Sequence, residues 1–377
     1  MFSLSSQLGG GGVEIGECLY FPKSAANTLL LEGMTFLKTG LLIVDEAANY
    51  PEAFATFSRG DLGGTTPIDL KIGNVINDMA YNGTRYVAVG ETGKFSYSTD
   101  GVNWTLGSSP AFGTTRITHV TFGAGLFVAL YGLANVATSS DGITWTARNS
   151  TIGDSYPGSA LTFNPGQNGF YASNTNGVVS ISSNGISWSL VGGVTGGSSI
   201  VGFSNHSSWV QAYSAAGVIY YTLTLGNNFT NGGPLPNSAT LNPKSVTTGK
   251  LAGVTTSVVV TNAGIVYSTA VGTAVQKGTI PNCTAILSVA YVTGDYPGGG
   301  LWAIACLING VAAVYVSADL VIWRQASLPF NGYVLAANDI MITWATTQAT
   351  LKLVSKKLIG APTPVLDGQY LMYVRVK

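Results

Sequence analysis

The sequence predicts an all-β protein, a β-propeller of six or seven four-stranded blades with seven favoured, standing behind a small N-terminal domain. Three observations carry this. A seven-residue box recurs: Ser98-Thr-Asp100-Gly101-Val-Asn-Trp104, Ser139-Ser-Asp141-Gly142-Ile-Thr-Trp145 and Ser182-Ser-Asn184-Gly185-Ile-Ser-Trp188, its tryptophans 41 and 43 residues apart. A period of that size marks a repeat architecture. An aromatic-led apolar run precedes each box tryptophan by a constant 18 residues, at Tyr86, Phe127 and Phe170. Composition agrees, since 49 Gly with only 9% charged residues is what many short strands joined by tight turns produce.

Within the first unit four strands can be drawn, over 77–81, 85–90, 94–98 and 103–106. Asn82-Gly83, Thr92-Gly93 and Asp100-Gly101 separate them, and such pairs favour hairpin turns whose twist matches the flanking strands. Weaker copies run from Trp209 to Phe229, Ser257 to Val275 and Trp302 to Trp323. A seventh unit spans Met341, Leu351-Lys-Leu-Val and Ile359, with 370–376 as its last strand. No 3.6-residue periodicity supports a helical solenoid, and Gly interrupts throughout. The propeller is placed at 76–377.

In each box the Ser hydroxyl and the Asp or Asn side chain are expected to bond turn amides. Gly supplies positive φ, and Trp fills space between sheets. This structural role is favoured over an ion or ligand at every turn. The boxes resemble the Asp-box (BNR) repeats of sialidase-like propellers, in a variant with Asp and Gly adjacent, over roughly residues 76–325. That resemblance implies a propeller hairpin and says little about activity, because such folds serve hydrolases and binding proteins alike.

Residues 1–75 differ in composition. Gly9–Gly12 precede Tyr20-Phe21-Pro22, then Leu29–Gly33, then Tyr50-Pro51-Glu52-Ala53-Phe54, which reads as a short helix with Pro in its first turn. This order resembles the collar-type domain of bacteriophage tail fibres, with Leu31-Glu32-Gly33 standing where family members commonly show Cys-Asp-Gly. It implies a tail-attachment domain at 1–75 that joins other tail or baseplate proteins. The chain as a whole then resembles a phage tail fibre or receptor-binding protein, oligomeric in the virion. A domain that merely caps the propeller is the alternative.

Chemistry is sparse. The six Arg (59, 85, 116, 148, 324, 375) lack the Arg-Ile-Pro context of sialidases, and Glu91 is the only Glu after residue 52. Catalytic residues and cofactors are expected to be absent. His119 and His206 lie far apart without metal-ligand spacing and read as core or turn residues. Cys18, Cys283 and Cys306 form no CxxC pair, so neither a zinc site nor a disulfide framework is expected. A net charge of zero argues against nucleic acid. Without an apolar run of membrane length or an export signal, the expectation is a chain made in the host cytoplasm and carried in the virion.

Binding is the favoured activity. Turns between the second and third strands should share a face with the inter-blade connections, bringing together 91–93, 112–116, 131–135, 148–156 and 174–176. Tyr131, Arg148, Asp154, Tyr156 and Asn174 are the candidate receptor-binding residues, because aromatic faces and planar polar groups suit a bacterial surface glycan. A protein receptor, a sialidase-like glycan hydrolase, and a propeller that touches only other virion proteins are the alternatives.

Overall fold

The computed structural model describes residues 18–22, 34–37, 67–152, 156–193, 197–226, 228–236, 242–270, 273–293, 300–317, 319–326, 333–337, 340–344, 350–355 and 370–375. Among them there are strands and turns and no helix. The segment around Tyr50-Pro51 and most of 1–75 lie outside the described residues.

Three strands come first: β1 (Cys18–Pro22), β2 (Met34–Leu37) and β3 (Pro67–Asp69). Blade 1 follows with β4 (Ile76–Tyr81), β5 (Tyr86–Gly90), β6 (Phe95–Ser98) and β7 (Thr105–Gly107). Blade 2 is β8 (Ile117–Gly123), β9 (Leu126–Tyr131), β10 (Asn135–Ser139) and β11 (Thr146–Thr151). Blade 3 is β12 (Gly158–Asn164), β13 (Gly169–Asn174), β14 (Val178–Ser182) and β15 (Ser189–Gly193). Blade 4 is β16 (Ile200–Asn205), β17 (Val210–Ser214), β18 (Val218–Thr222) and β19 (Thr230–Pro234). Blade 5 is β20 (Pro243–Leu251), β21 (Val254–Thr261), β22 (Ile265–Ala270) and β23 (Thr273–Thr279). Blade 6 is β24 (Cys283–Thr293), β25 (Gly300–Ile308), β26 (Val311–Ser317) and β27 (Arg324–Ala326). Each is an antiparallel meander in chain order.

The last four-stranded sheet is composite. β28 (Tyr333–Ala337), β29 (Ile340–Trp344) and β30 (Thr350–Ser355) take their fourth strand from β3, with Pro67 opposite Lys352 and Asp69 opposite Thr350. The final strand, β31 (Tyr370–Arg375), pairs with β1 and β2 in a separate three-stranded sheet. This corrects the expectation that 370–376 would complete the seventh unit. It also draws residues ahead of 76 into the propeller. Pairing the two ends of the chain closes the ring with backbone hydrogen bonds, and closure removes the exposed edges an open array of sheets would leave.

The hydrophobic core is divided among the blade interfaces. Val87 and Phe95 of blade 1 pack with Phe127 and Trp145 of blade 2. Equivalent clusters join Leu130 to Phe170, Tyr171 to Val210, Tyr213 to Val259, Val260 to Ile304, Ala303 to Val334, and Ala337 to Ile76. The box turn belongs to this interface. Ser139 Oγ accepts from Gly142 N at 2.8 Å, and Asp141 Oδ1 accepts from Ile143 N and Thr144 N, each at 2.8 Å. Gly142 has φ +73°, and a Cβ there would lie 2.6 Å from Val87 of the preceding blade.

The same hydrogen bonds form around Ser98 and Asp100 and around Ser182 and Asn184. Trp104 and Trp188 donate back to the carbonyls of Gly101 and Gly185. A further copy is present in blade 6, where Ser317 and Asp319 bind the amides of Leu320, Val321 and Ile322, and Trp323 donates to Leu320 O. Leu320 occupies the glycine position with φ +68°. The missing glycine is what makes this copy degenerate in the sequence.

Candidate functional site

The two faces of the ring are set by connectivity. Turns joining second to third strands are tied to inter-blade connections by backbone bonds: Gly132 N to Arg116 O, Ile152 N to Ala134 O, Thr175 N to Pro157 O, and Ile280 N to Gly264 O. They form one face, here called upper. Box turns and the turns between first and second strands form the lower face.

On the upper face a polar network spans blades 1 and 2. Arg116, in the connection before β8, places Nε 2.8 Å from Glu91 Oε1. Its other guanidinium nitrogen donates to Asn77 Oδ1 at 3.2 Å. Asn77 Nδ2 in turn donates to Ile117 O at 2.7 Å and to Glu91 Oε1 at 3.3 Å. Local geometry explains the placement. Asn77 is the bulged residue of β4, skipped between the Ile76–Gly90 and Asp78–Val89 pairs, and a bulge re-aims a side chain. Thr92 and Gly93 both have positive φ, which turns the chain back within the Glu91 loop. Although paired, the Arg116 side chain stays 58% exposed, against 28% for Glu91.

Tyr131 adjoins this network, because it pairs with Ile117 across the strands. Its ring packs edge-on against buried Phe112 at 5.4 Å. Burial raises its hydroxyl pKa, and among the described residues that hydroxyl has no hydrogen-bond partner. Aromatic edge, planar amide, carboxylate and guanidinium therefore stand side by side within one blade junction.

The other sequence candidates distribute differently. Tyr156 is 44% exposed in the connection before blade 3. Asp154 lies outside the described residues. Asn174 is fully buried: its Nδ2 donates to Ile152 O, and its Oδ1 accepts from Asn176 N and Val178 N. Its side chain is spent on holding the turn. Arg148, on an outer strand, donates Nε to Thr138 Oγ1 at 2.7 Å within its own blade. Of the five, Tyr131 alone stands beside the network, which is made by Asn77, Glu91 and Arg116.

Asp78 and His119 lie just inward, on the first strands of blades 1 and 2. Burial pushes the Asp78 carboxyl up to about 7, against the opposing amides of Val120 and Met79. Burial and the nearby Arg116 charge bring His119 down to about 4. His119 Nδ1 is enclosed and has no hydrogen-bond partner. On the lower face the carboxylates are held in turns. The amides of Asn103 and Val102, with the Asn103 side chain, keep Asp100 far below the usual range. Burial opposes ionisation of Asp141, yet the Thr144 and Ile143 amides bring it to about 2. Among the described residues no three His, Cys, Asp or Glu side chains converge as a metal site.

No family model and no curated protein matches the chain. Solved structures do. Virginiamycin B lyase from Staphylococcus aureus superposes over 76% of this chain and 98% of its own, with TM-score 0.62 and 10% identity. The likeness is one of fold. YCF48 from Cyanidioschyzon merolae covers 83% of this chain and 99% of its own at TM-score 0.55 and 14% identity. The GH74 enzyme of Niastella koreensis covers 76% of this chain, which spans 44% of that enzyme, at TM-score 0.57 and 15% identity. These neighbours include a lyase, a GH74 enzyme and a protein solved bound to D1 peptide. Propellers of this shape thus serve both catalysis and binding.

Proposed function

We propose that the chain is a phage tail receptor-binding protein whose upper face takes a bacterial surface glycan, with residues 1–75 serving attachment to other tail proteins. The observation that carries the binding half is the Asn77–Glu91–Arg116 network beside Tyr131. Planar groups that present two donors or two acceptors match neighbouring sugar hydroxyls, and an aromatic side chain offers a partner for the apolar face of a ring. The attachment half rests on the collar-like order of elements in 1–75.

Binding is favoured over hydrolysis because, of the described carboxyl groups, only Asp78 is not held in a turn or an ion pair, and it accepts from the Val120 and Met79 amides. Asp100, Asp141 and Asp319 hold turns, Glu91 pairs with Arg116, and Asp69 pairs with Lys71. A glycosidase needs two carboxyl groups flanking one bond. A second reading, contact with virion proteins alone, is favoured by exposed apolar side chains on the lower face: Val102, Leu223, Val254, Val321 and Ile322.

A whole-cell or glycan-array assay decides between them. Arg116→Ala is expected to weaken binding about tenfold or more, since hydrogen bonds to a charged group contribute roughly 1.5–3 kcal/mol. Thermal unfolding should not change, because the side chain is largely exposed. Undiminished cell binding by Arg116→Ala and Tyr131→Ala together would shift the reading to virion contacts.

A further inference from the structure

The first strands of successive blades share one register position near the upper face. It is the residue that follows the bulge: Asp78, His119, Ala160, Gly202, Ser245 and Ser288 in blades 1 to 6. Three of these side chains make the same bond to the next blade. Asp78 Oδ2 accepts from Val120 N at 3.0 Å, Ser245 Oγ from Val289 N at 3.0 Å, and Ser288 Oγ from Val334 N at 2.8 Å. Two of these bonds, to Val120 and Val289, land one residue past the equivalent position, so these groups lie at one level on the innermost strands, around the central channel.

The ring has unused donors. Both serine hydroxyls accept an amide, and neither has an acceptor for its own proton among the described residues. The Asp78 oxygens already accept from Val120 and Met79, so a proton held there is free to be donated. His119 Nδ1 is buried without a partner, and the following positions, Ala160 and Gly202, have no polar side chain to meet it. A buried polar atom without a partner costs free energy unless a water or ligand fills the role. Among the described residues above the ring, cations outnumber anions. Lys71, Lys94, Arg116 and Lys244 stand there against Asp69 and Glu91, whereas the lower face carries Asp100, Asp141 and Asp319 against Arg85 and Lys250.

We propose that the upper end of the central channel binds a carboxylate carried on an acidic sugar, with Asp78, Ser245 and Ser288 donating to its oxygens and His119 meeting an adjacent hydroxyl. The assignment rests on the reading of the upper face as glycan-binding and names the class of sugar. A neutral sugar would leave Lys94 and Lys244, the described cations of this face without an ion-pair partner, unanswered. Asp78 also sets a sign. Its carboxyl titrates at about 7; protonated it donates, and ionised it repels the ligand. Affinity therefore falls as pH rises through neutrality, by about tenfold between pH 6 and pH 8 for one linked proton. His119, at about 4, stays neutral across that range.

The test is calorimetric titration of the full chain with D-glucuronate and D-glucose at pH 6 and pH 8, run beside whole-cell binding. Glucuronate should bind more tightly than glucose and lose affinity at the higher pH. Asp78→Asn, whose amide donates at every pH, should flatten that profile. Ser288→Ala should lower affinity several-fold at both values and keep the slope, which provides a second readout if Asp78→Asn fails to fold. Cell binding without preference for glucuronate, or with tighter binding of inorganic phosphate, would overturn the carboxylate site and leave the glycan reading intact. A pH slope that persists in Asp78→Asn would overturn the role of Asp78. Loss of cell binding altogether would overturn both.

Discussion

Residue-level energetics concentrate in the box turns, where one backbone angle decides what is tolerated. Gly142→Ala would impose a side chain at φ +73° and drive a Cβ to 2.6 Å from Val87. The left-handed conformation alone costs about 1–2 kcal/mol, and overpacking adds about 1–3. A drop of roughly 2–5 kcal/mol in urea-unfolding free energy is expected. Leu320 poses the reverse case, since it holds φ +68° while fully buried. Leu320→Gly would relieve about 1 kcal/mol of strain, yet removing a buried leucine costs about 3–5. Net destabilisation of about 2–4 kcal/mol should appear in the same measurement; a stabilised variant would show that strain dominates. This is also why the blade 6 copy lacks the Asp-Gly pair and reads as a weaker repeat: packing replaced the glycine while the hydrogen bonds stayed.

At the scale of elements, the contact between blades 4 and 5 is polar as well as apolar. His206, in the turn after β16, stacks on Trp209 at 3.5 Å and lies 2.6 Å from Ser257 Oγ. Ser257 donates to Ser204, which reaches Tyr213 and so Gln211 and Thr269, all buried. Burial lowers the His206 pKa from 6.5 to about 4. The unfolded chain therefore takes up the proton first. Stability from this group is present above pH 6.5 and is lost as pH falls from there towards 4. With the histidine about half-buried, solvent screening reduces the effect to about 1–2 kcal/mol. His206→Gln should flatten that part of the stability–pH curve, and Trp209 fluorescence reports the same transition. The Ser257 contact joins residues 51 positions apart, so the sequence shows His206 and Trp209 as near neighbours and gives no sign of their partner in the next blade.

For the whole molecule, ring closure is the decisive contact. A chain starting at 64 retains β3, whereas one starting at 76, the boundary read from the sequence, leaves the last sheet a strand short. The shorter chain is expected to unfold at lower temperature and with less cooperativity in a calorimetric scan. Equal unfolding of the two would show that β3 is dispensable. Cell-binding comparisons between the full chain and the isolated propeller should use the longer form. Otherwise an opened ring would be mistaken for a lost receptor site.

Local chemistry made much of this legible. Asn-Gly, Thr-Gly and Asp-Gly turns, alternating apolar strands and a repeat near 41 residues specify a four-stranded meander, because hairpin geometry depends on adjacent residues alone. The same reasoning placed the second-to-third-strand turns and the inter-blade connections on one face. What depends on distant partners could not be read this way. The pairing of Pro67–Asp69 with Thr350–Lys352, the separate sheet made by β31, the burial of Asn174 and the meeting of Asn77, Glu91 and Arg116 all join segments from different turns of the ring. Only closure of the blades around a common axis sets those distances, and with them the pKa values of Asp78 and His119.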